Sequence, residues 1–317
     1  MRGCTVDNTG HHVPKQYCAV DGERTLLQVA VTRAEKCVDP GHVVVVVSSQ
    51  HRKWWEPQLD GLLHRDNIVV QPLSRGTAVG VLLPLCRVLA RDPGAHLVFL
   101  PADHWFRHED LLAGAVRTAL ESSYEDPGSL VFIGIGPESP TSDFGYIVPL
   151  RKGGSGPLPV VSFVEKPSRE SAKALIGRGA LWNTLIFAAH GRYLMRVIRE
   201  HFPHTADAVR VAVSGSADDC HRLARALAEV YPSLTTIDFS RDVLEHSDVQ
   251  MSVVSVTGVG WSELGTPARL EAWLEEIRPA RVGMRQPKPV AEQPTGPDPQ
   301  PDSVTVGQKD VKVSPPE

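Results

Sequence analysis

Residues 97–104 read LVFLPADH: four apolar residues, then Pro101, then Asp103 and His104. A short, continuous apolar run is what a strand buried on both faces requires, because both alternating sets of side chains meet a core. Runs of the same kind recur at 43–47 (VVVVV), 67–70 (NIVV), 129–133 (SLVFI), 146–148 (YIV), 160–164 (VVSFV) and 252–256 (SVVSV). Between them, 24–38, 74–91, 108–122, 168–178, 190–201 and 215–230 carry apolar residues at helical spacing. The alternation predicts a Rossmann-like α/β domain with a mostly parallel central sheet flanked by helices. Ligands of such sheets bind at the carboxyl ends of strands, so the residues that follow each run are the candidates for chemistry.

The periodic part extends to about residue 278, closing on a helical stretch within GTPARLEAWLEEI, where Thr266 can cap and Pro267 can take the first helical position. Residues 279–317 hold nine prolines and no aromatic residue. That composition predicts a disordered tail. The division is therefore a domain over 1–278 and a tail over 279–317. A length of 317 residues with 42% hydrophobic content suits a large globular core. A net charge of -4 supplies no basic field for nucleic acid. Five cysteines, an odd number without a CxxC, point to reduced thiols in a cytoplasm, and no apolar run is long enough for a membrane span. A homo-oligomer is compatible with all of this.

An aspartate at a strand's carboxyl end can hold a hard cation such as Mg²⁺ or can cap a turn, and Asp103 alone does not distinguish the two. FVEKP (163–167) sets Glu165 beside Lys166, a carboxylate for hydroxyls next to an ammonium for a phosphate. DFGYIV (143–148) puts Gly145 at a strand start, where the missing side chain lets a ligand approach. QPLSRGTA (71–78) offers the Gln71 amide, the Arg75 cation and the backbone N–H groups of Gly76 and Thr77, or else a helix start capped by Ser74. His104 reads as a hydrogen-bonded neighbour of the Asp103 site.

In this order, VPKQYCAV, TLLQ, QPLSRGTA, FLPADH, FGYIV, FVEKP, LWNTLIF, IDFSRDVLE and GWSELGTP resemble the sugar-1-phosphate nucleotidyltransferases, and among them the mannose-1-phosphate guanylyltransferases. The resemblance runs from about Pro14 to Pro267. It implies a nucleotidyltransferase fold and transfer of a nucleotidyl group from GTP to mannose 1-phosphate with Mg²⁺, giving GDP-mannose and pyrophosphate. It implies Asp103 and Glu263 as metal ligands, the latter where the family usually has aspartate. Lys166 would hold the sugar phosphate, Glu165, Asn183 and the Gly145 backbone the sugar hydroxyls, Lys15 the nucleotide phosphates, and Gln71, Arg75, Gly76 and Thr77 the base. Gly76 stands where the guanylyl branch usually has a polar residue.

Family members open with an apolar strand and a GGxGxRL turn before the PKQ triplet, and MRGCTVDNTGHHV (1–13) contains neither. The expectation is a sheet lacking its first strand, with unpaired neighbours and impaired turnover. The alternatives are a non-catalytic nucleotide-sugar-binding or regulatory homologue, or a transferase using another sugar 1-phosphate or nucleoside triphosphate.

Overall fold

The computed structural model describes residues 13–19, 23–151, 156–216, 219–246, 248–264, 269 and 303–308, the last six through their backbone. In chain order the elements are α1 Leu26–Glu35, β1 Val43–Ser48, α2 Arg52–Leu59, β2 Ile68–Gln71, α3 Gly76–Arg91, β3 His96–Pro101, β4 Trp105–Phe106, α4 Glu109–Glu125, β5 Leu130–Ile135 and β6 Tyr146–Pro149. They continue with β7 Leu158–Val164, α5 Arg169–Gly177, β8 Leu181–His190, α6 Gly191–His201, α7 Pro203–Ser214, α8 Cys220–Val230, β9 Met251–Val256, β10 Trp261–Ser262 and β11 Ser303–Gln308. The strands anticipated from apolar runs are all present. The helix proposed around Thr266 and Pro267 lies outside the described residues.

Alternation along the strands explains why the runs are continuous. Val44 and Val46 of β1, with Leu97 and Phe99 of β3, enter one core beneath α3, α6, α7 and α8. Val43, Val45 and Val47, with Val98 and Leu100, enter the other, beneath α1, α2 and α4. Both faces are covered, so neither set can be polar. Elements that lacked a clean period were not anticipated. In β8, Asn183–Thr184 interrupts the apolar run, the Thr184 hydroxyl donates to the Ile133 carbonyl at 2.8 Å, and the register with β5 shifts between Phe132 and Gly134. The short helix α2 carries Pro57 internally and buries only Trp55 and Leu59.

The main sheet runs β2-β1-β11-β3-β8-β5-β9-β7-β6, with β6 also paired to β8. The expectation of a mostly parallel sheet needs correction at the level of pairing. Among the described residues, only β1–β2 and β5–β9 pair in parallel, while β7, β8 and β11 run against the other six strands. Strand β7 returns directly beside β6 instead of crossing through a helix, and antiparallel pairing is what so short a connection permits.

A second correction concerns the tail. Ser303–Gln308 is a strand between β1 and β3, antiparallel to both, so the expectation of disorder fails for these residues and the slot beside β1 is filled. The physical reason is that β1 and β3 are buried, and their facing N–H and C=O groups need partners that water cannot supply. Residues 279–302 and 309–317 lie outside the described residues.

One buried charge ties α1 to the turn after β3. The Thr25 hydroxyl and the Gln28 side chain form a reciprocal capping box that starts α1. Near the other end of the helix, Arg33 is 1% exposed. Its guanidinium donates to both Glu109 carboxylate oxygens at 2.9 Å and to the His104 carbonyl at 3.1 Å, and lies 4.7 Å over the Phe106 ring. Glu109→Ala should lower unfolding free energy by about 3 kcal/mol, because it leaves a buried guanidinium uncompensated. Urea denaturation checks this; a loss under about 0.5 kcal/mol would mean that the pair holds nothing together.

Candidate active site

Two groups of side chains gather at strand ends, one after β3 and the other where β7 ends and β6 and β8 begin. The first forms around Asp103, which follows β3 and is 2% exposed. Its Oδ2 lies 2.7 Å from Lys15 Nζ, and Oδ1 is buried without a hydrogen-bond partner. Lys15 comes from the short 3₁₀ turn Lys15–Tyr17 and also donates to the Glu263 carbonyl at 3.1 Å. Pairing of β10 with β4 carries Glu263 here: Trp261 lies opposite Phe106 and Ser262 opposite Trp105. The Glu263 carboxylate accepts from Arg269 at 3.0 Å. Burial pushes its pKa up, against the cations Lys15 and Arg269. Three residues far apart in sequence thus share one locus, and Lys15 sits on the proposed metal carboxylate.

His104 is a neighbour of this locus, as expected. Its Nδ1 accepts from Trp261 Nε1 at 3.3 Å, and burial depresses its pKa to about 4. The ring is neutral at pH 7 and serves as a fixed acceptor rather than a proton donor. Trp261 packs against Phe144 and Trp182 at centroid distances of 4.8 and 6.1 Å, and Arg269 lies over Phe144 while bonding Asp143 at 2.6 Å. This aromatic group joins the Asp103 locus to the second one.

The second locus comprises Gly145, Glu165, Lys166 and Asn183. Asn183 N–H donates to the Gly145 carbonyl at 2.8 Å, and its Oδ1 accepts from Leu185 N–H at 2.9 Å. A Cβ on Gly145 would stand 2.5 Å from Glu165 Oε2 and 3.0 Å from Phe163 Cζ, so a side chain there would displace the Glu165 carboxylate. The Glu165 N–H donates to the Glu245 carboxylate at 2.6 Å, and Lys166 Nζ lies 3.7 Å from Glu165 Oε1. Lys166 has φ of 45°, an unfavourable conformation for a side-chain-bearing residue and more so before Pro167. The only other non-glycine residues of positive φ among those described are Leu185 and Leu264, which stand close to Asn183 and Glu263 in the chain. Strain of this kind is held where surrounding structure over-determines it, and here all three positions border candidate site residues. No sequence signal marks Lys166, Leu185 or Leu264 as strained.

An open pocket on the α3 side is lined by Ser48, Gln71, Ser74, Gly76, Thr77, Pro101 and Leu185, among others. It lies at the carboxyl ends of β1, β2 and β3. Arg75 does not line it: its guanidinium donates to the Tyr231 and Pro232 carbonyls at 2.7 and 2.8 Å. The Thr77 hydroxyl accepts from Phe239 N–H at 2.7 Å, and Ala78 N–H donates to the Ile237 carbonyl at 3.1 Å. Ser74 does not cap α3, whose N-cap is Arg75. The turn expected to read a base thus spends Arg75 on clasping segment 231–239, which sequence separation concealed. Gln71 accepts weakly from the Tyr231 hydroxyl at 3.4 Å. Gly76, at φ 85°, has the Ile237 carbonyl oxygen 2.0 Å from where a Cβ would sit. Replacing it with alanine should therefore cost about 3 kcal/mol or more of stability through strain and overpacking, read by denaturant unfolding; a tolerated change would mean that segment 231–239 is not packed against the turn.

Burial, reinforced by Asp238 and Glu245 and opposed by Lys166, raises the Glu165 pKa from 4.5 to about 7. A carboxyl raised in this way favours the protonated folded state, so its ionisation lowers stability progressively between pH 4.5 and 7 and fully above. Glu165→Gln should consequently match the parent at pH 4 and exceed it at pH 8 by up to about 3 kcal/mol. A pH-independent difference between the two unfolding curves would refute the shift.

Comparison with known proteins extends what the geometry shows. A family model described as nucleotidyl transferase matches residues 9–278. Mannose-1-phosphate guanylyltransferase of Escherichia coli K12 is 31% identical over 264 residues, which are 80% of this chain and 53% of the relative. That of Sinorhizobium fredii is 33% identical over 258 residues, 80% of this chain and 49% of the relative. The chain thus spans about half the length of these curated relatives. A solved Thermus thermophilus structure described as mannose-1-phosphate geranyltransferase superposes with a TM-score of 0.70 at 27% identity, covering 83% of this chain and 73% of that one. With the family model spanning most of its length, the chain belongs to the nucleotidyl transferase family.

Proposed function

We propose that this chain is a transferase that joins a nucleoside triphosphate to a sugar 1-phosphate, with GTP and mannose 1-phosphate as its substrates and GDP-mannose and pyrophosphate as its products. The observation that carries this reading is the convergence of Gly145, Glu165, Lys166 and Asn183 at one end of the aromatic group whose other end meets Asp103, Lys15 and Glu263. Relatives near 30% identity that carry the guanylyltransferase name support the choice of substrates. An oxygen of the sugar phosphate attacks the α-phosphorus, the bond from that phosphorus to the β-bridging oxygen breaks, and pyrophosphate leaves with the electron pair. Such a reaction asks the protein for positioning and charge neutralisation.

Lys166 places an ammonium for the sugar phosphate beside Glu165, whose carboxylate accepts from sugar hydroxyls. Gly145 keeps its backbone open to the ring. The residues fit a hard divalent cation, because Asp103 Oδ1 is a buried oxygen without a hydrogen-bond partner and the remaining donor is the Glu263 carboxylate. Asp103 and Glu263 would hold Mg²⁺, which would neutralise phosphate charge. Lys15 would then turn from Asp103 to the nucleotide phosphates, and Gln71, Gly76 and Thr77 would line the base pocket. A cytoplasmic location is part of the same proposal and rests on the cysteine pattern; among the described residues no helix is long and apolar enough to cross a membrane.

A second reading, a homologue that binds nucleotide sugar without turnover, is favoured by one specific feature. Each proposed metal carboxylate has a protein cation beside it, Lys15 at 2.7 Å from Asp103 and Arg269 at 3.0 Å from Glu263. Pyrophosphate release from four triphosphates against three sugar 1-phosphates separates the readings. The transferase should favour GTP with mannose 1-phosphate, Asp103→Asn should lower turnover at least about 100-fold in a chain that still folds, and Glu263→Asp should retain what Glu263→Gln loses. Nucleotide-sugar binding without magnesium dependence or pyrophosphate release would establish the second reading.

A further inference from the structure

Outside the candidate active site, the segment that leads into β9 is fastened to one face of α6. Tyr193, Val197 and His201 follow one another at four-residue spacing on that helix and so share a face. The Tyr193 hydroxyl accepts from the Gln250 N–H at 2.9 Å, and Val197 and Val249 are both buried. The same face carries His201, the last residue of α6, to His246 and Asp248. The rings of His201 and His246 stack with centroids 4.2 Å apart, and Asp248 Oδ1 lies 3.6 Å from His201 Nε2. One ligand atom from each of the three residues lies within 4.8 Å of those of the other two. We propose that His201, His246 and Asp248 form a binding site for a divalent transition-metal ion of the zinc class.

His201 carries the argument. Its Nε2 is buried and has no hydrogen-bond partner among the described residues, and 3.6 Å to Asp248 is too long for such a bond. A buried ring nitrogen left unpaired calls for an explanation, and a metal ion on its lone pair supplies one. His246 and Asp248 are exposed, so their side chains can turn towards His201 without disturbing a core. Tetrahedral bonds of zinc to nitrogen and oxygen place ligand atoms about 3.4 Å apart, a closure of at most about 1.4 Å from the present spacing. The His246 ring leaves its stack in that closure, because rings only 25° from parallel aim their lone pairs side by side rather than at one point.

The donor set selects the ion. Two imidazole nitrogens and one carboxylate suit Zn²⁺ and its transition-metal neighbours, whereas Mg²⁺ prefers oxygen and keeps much of its water. Three protein ligands leave a fourth position for water. A single carboxylate leaves the bound ion with positive charge, which the carbonyl ends of α6 help to offset. Arg199, two residues before His201, is held by Asp207 at 3.1 Å and so is drawn away to another partner. The site shares no residue with the Asp103 locus, and its occupation does not depend on the proposed reaction.

The test titrates Zn²⁺ into the full chain after metal has been removed with EDTA, read by calorimetry and by thermal unfolding. The parent should bind Zn²⁺, with a melting temperature that rises with its concentration. His246→Ala and Asp248→Asn alter exposed side chains and should retain the fold, yet each should weaken this binding at least about tenfold, the lower end of what losing even an outer partner of a metal costs. Millimolar Mg²⁺ should not displace the Zn²⁺. No Zn²⁺ binding by the parent, equal binding by the parent and both variants, or displacement by Mg²⁺ would each overturn the proposal.

Discussion

The turn that leaves β3 is where the molecule concentrates its constraints. Asp103 projects from it, yet its carboxylate is nearly buried, and a buried charge is tolerable only if its surroundings are fixed. Arg33 supplies that fixity from α1 by bonding the His104 carbonyl and both oxygens of Glu109 at the start of α4. A single guanidinium thus joins a helix, a turn and a second helix. Lys15 completes the enclosure by neutralising Asp103 and reaching the backbone of Glu263. Without these cations the turn would hold an unpaired anion in a region that water does not enter.

From that turn the site spreads outward through packing rather than through chain connectivity. The small β4–β10 ladder brings the Glu263 segment across, and Trp261, Phe144 and Trp182 fill the space towards Gly145 and Asn183. Aromatic rings suit this position because they fill a large volume with few rotatable bonds and still offer a polar handle, here the Trp261 N–H on His104. The opposite side of the pocket is closed differently. Segment 231–239 is laid onto the start of α3 by backbone hydrogen bonds and by Arg75, and the fit is so close that Gly76 has no room for a side chain.

Strained backbone marks the same places. Lys166, Leu185 and Leu264 adopt positive φ without being glycine, at the end of β7, in the bend of β8 and just beyond β10. Each lies at or within two residues of a candidate functional group: Glu165 and Lys166, Asn183, and Glu263.

Much of this was readable from the chain alone. Continuous apolar runs located β1, β3 and β5, because a strand covered on both faces has no position where a polar side chain can reach water, and apolar runs also located β7 and β9, although Pro159, Val161 and Ser255 in them face solvent. The motifs LVFLPADH, DFGYIV and FVEKP placed Asp103, Gly145, Glu165 and Lys166 after or before strands, where topology brings such ends together. Composition misled for the tail: its prolines flank the short SVTVGQ stretch, and no local property of that stretch reveals a slot in a sheet whose walls lie far earlier in the chain. The duty of Arg75 was hidden for the same reason, since its partners are carbonyls of Tyr231 and Pro232. The sequence by itself determined which segments become strands and helices and which side chains carry chemistry, because those depend on local periodicity and residue type. Only the tertiary structure decided which cation meets which carboxylate and which strand completes the sheet, because those depend on hydrogen-bonding and charge demands that buried groups make on whatever the fold brings within reach.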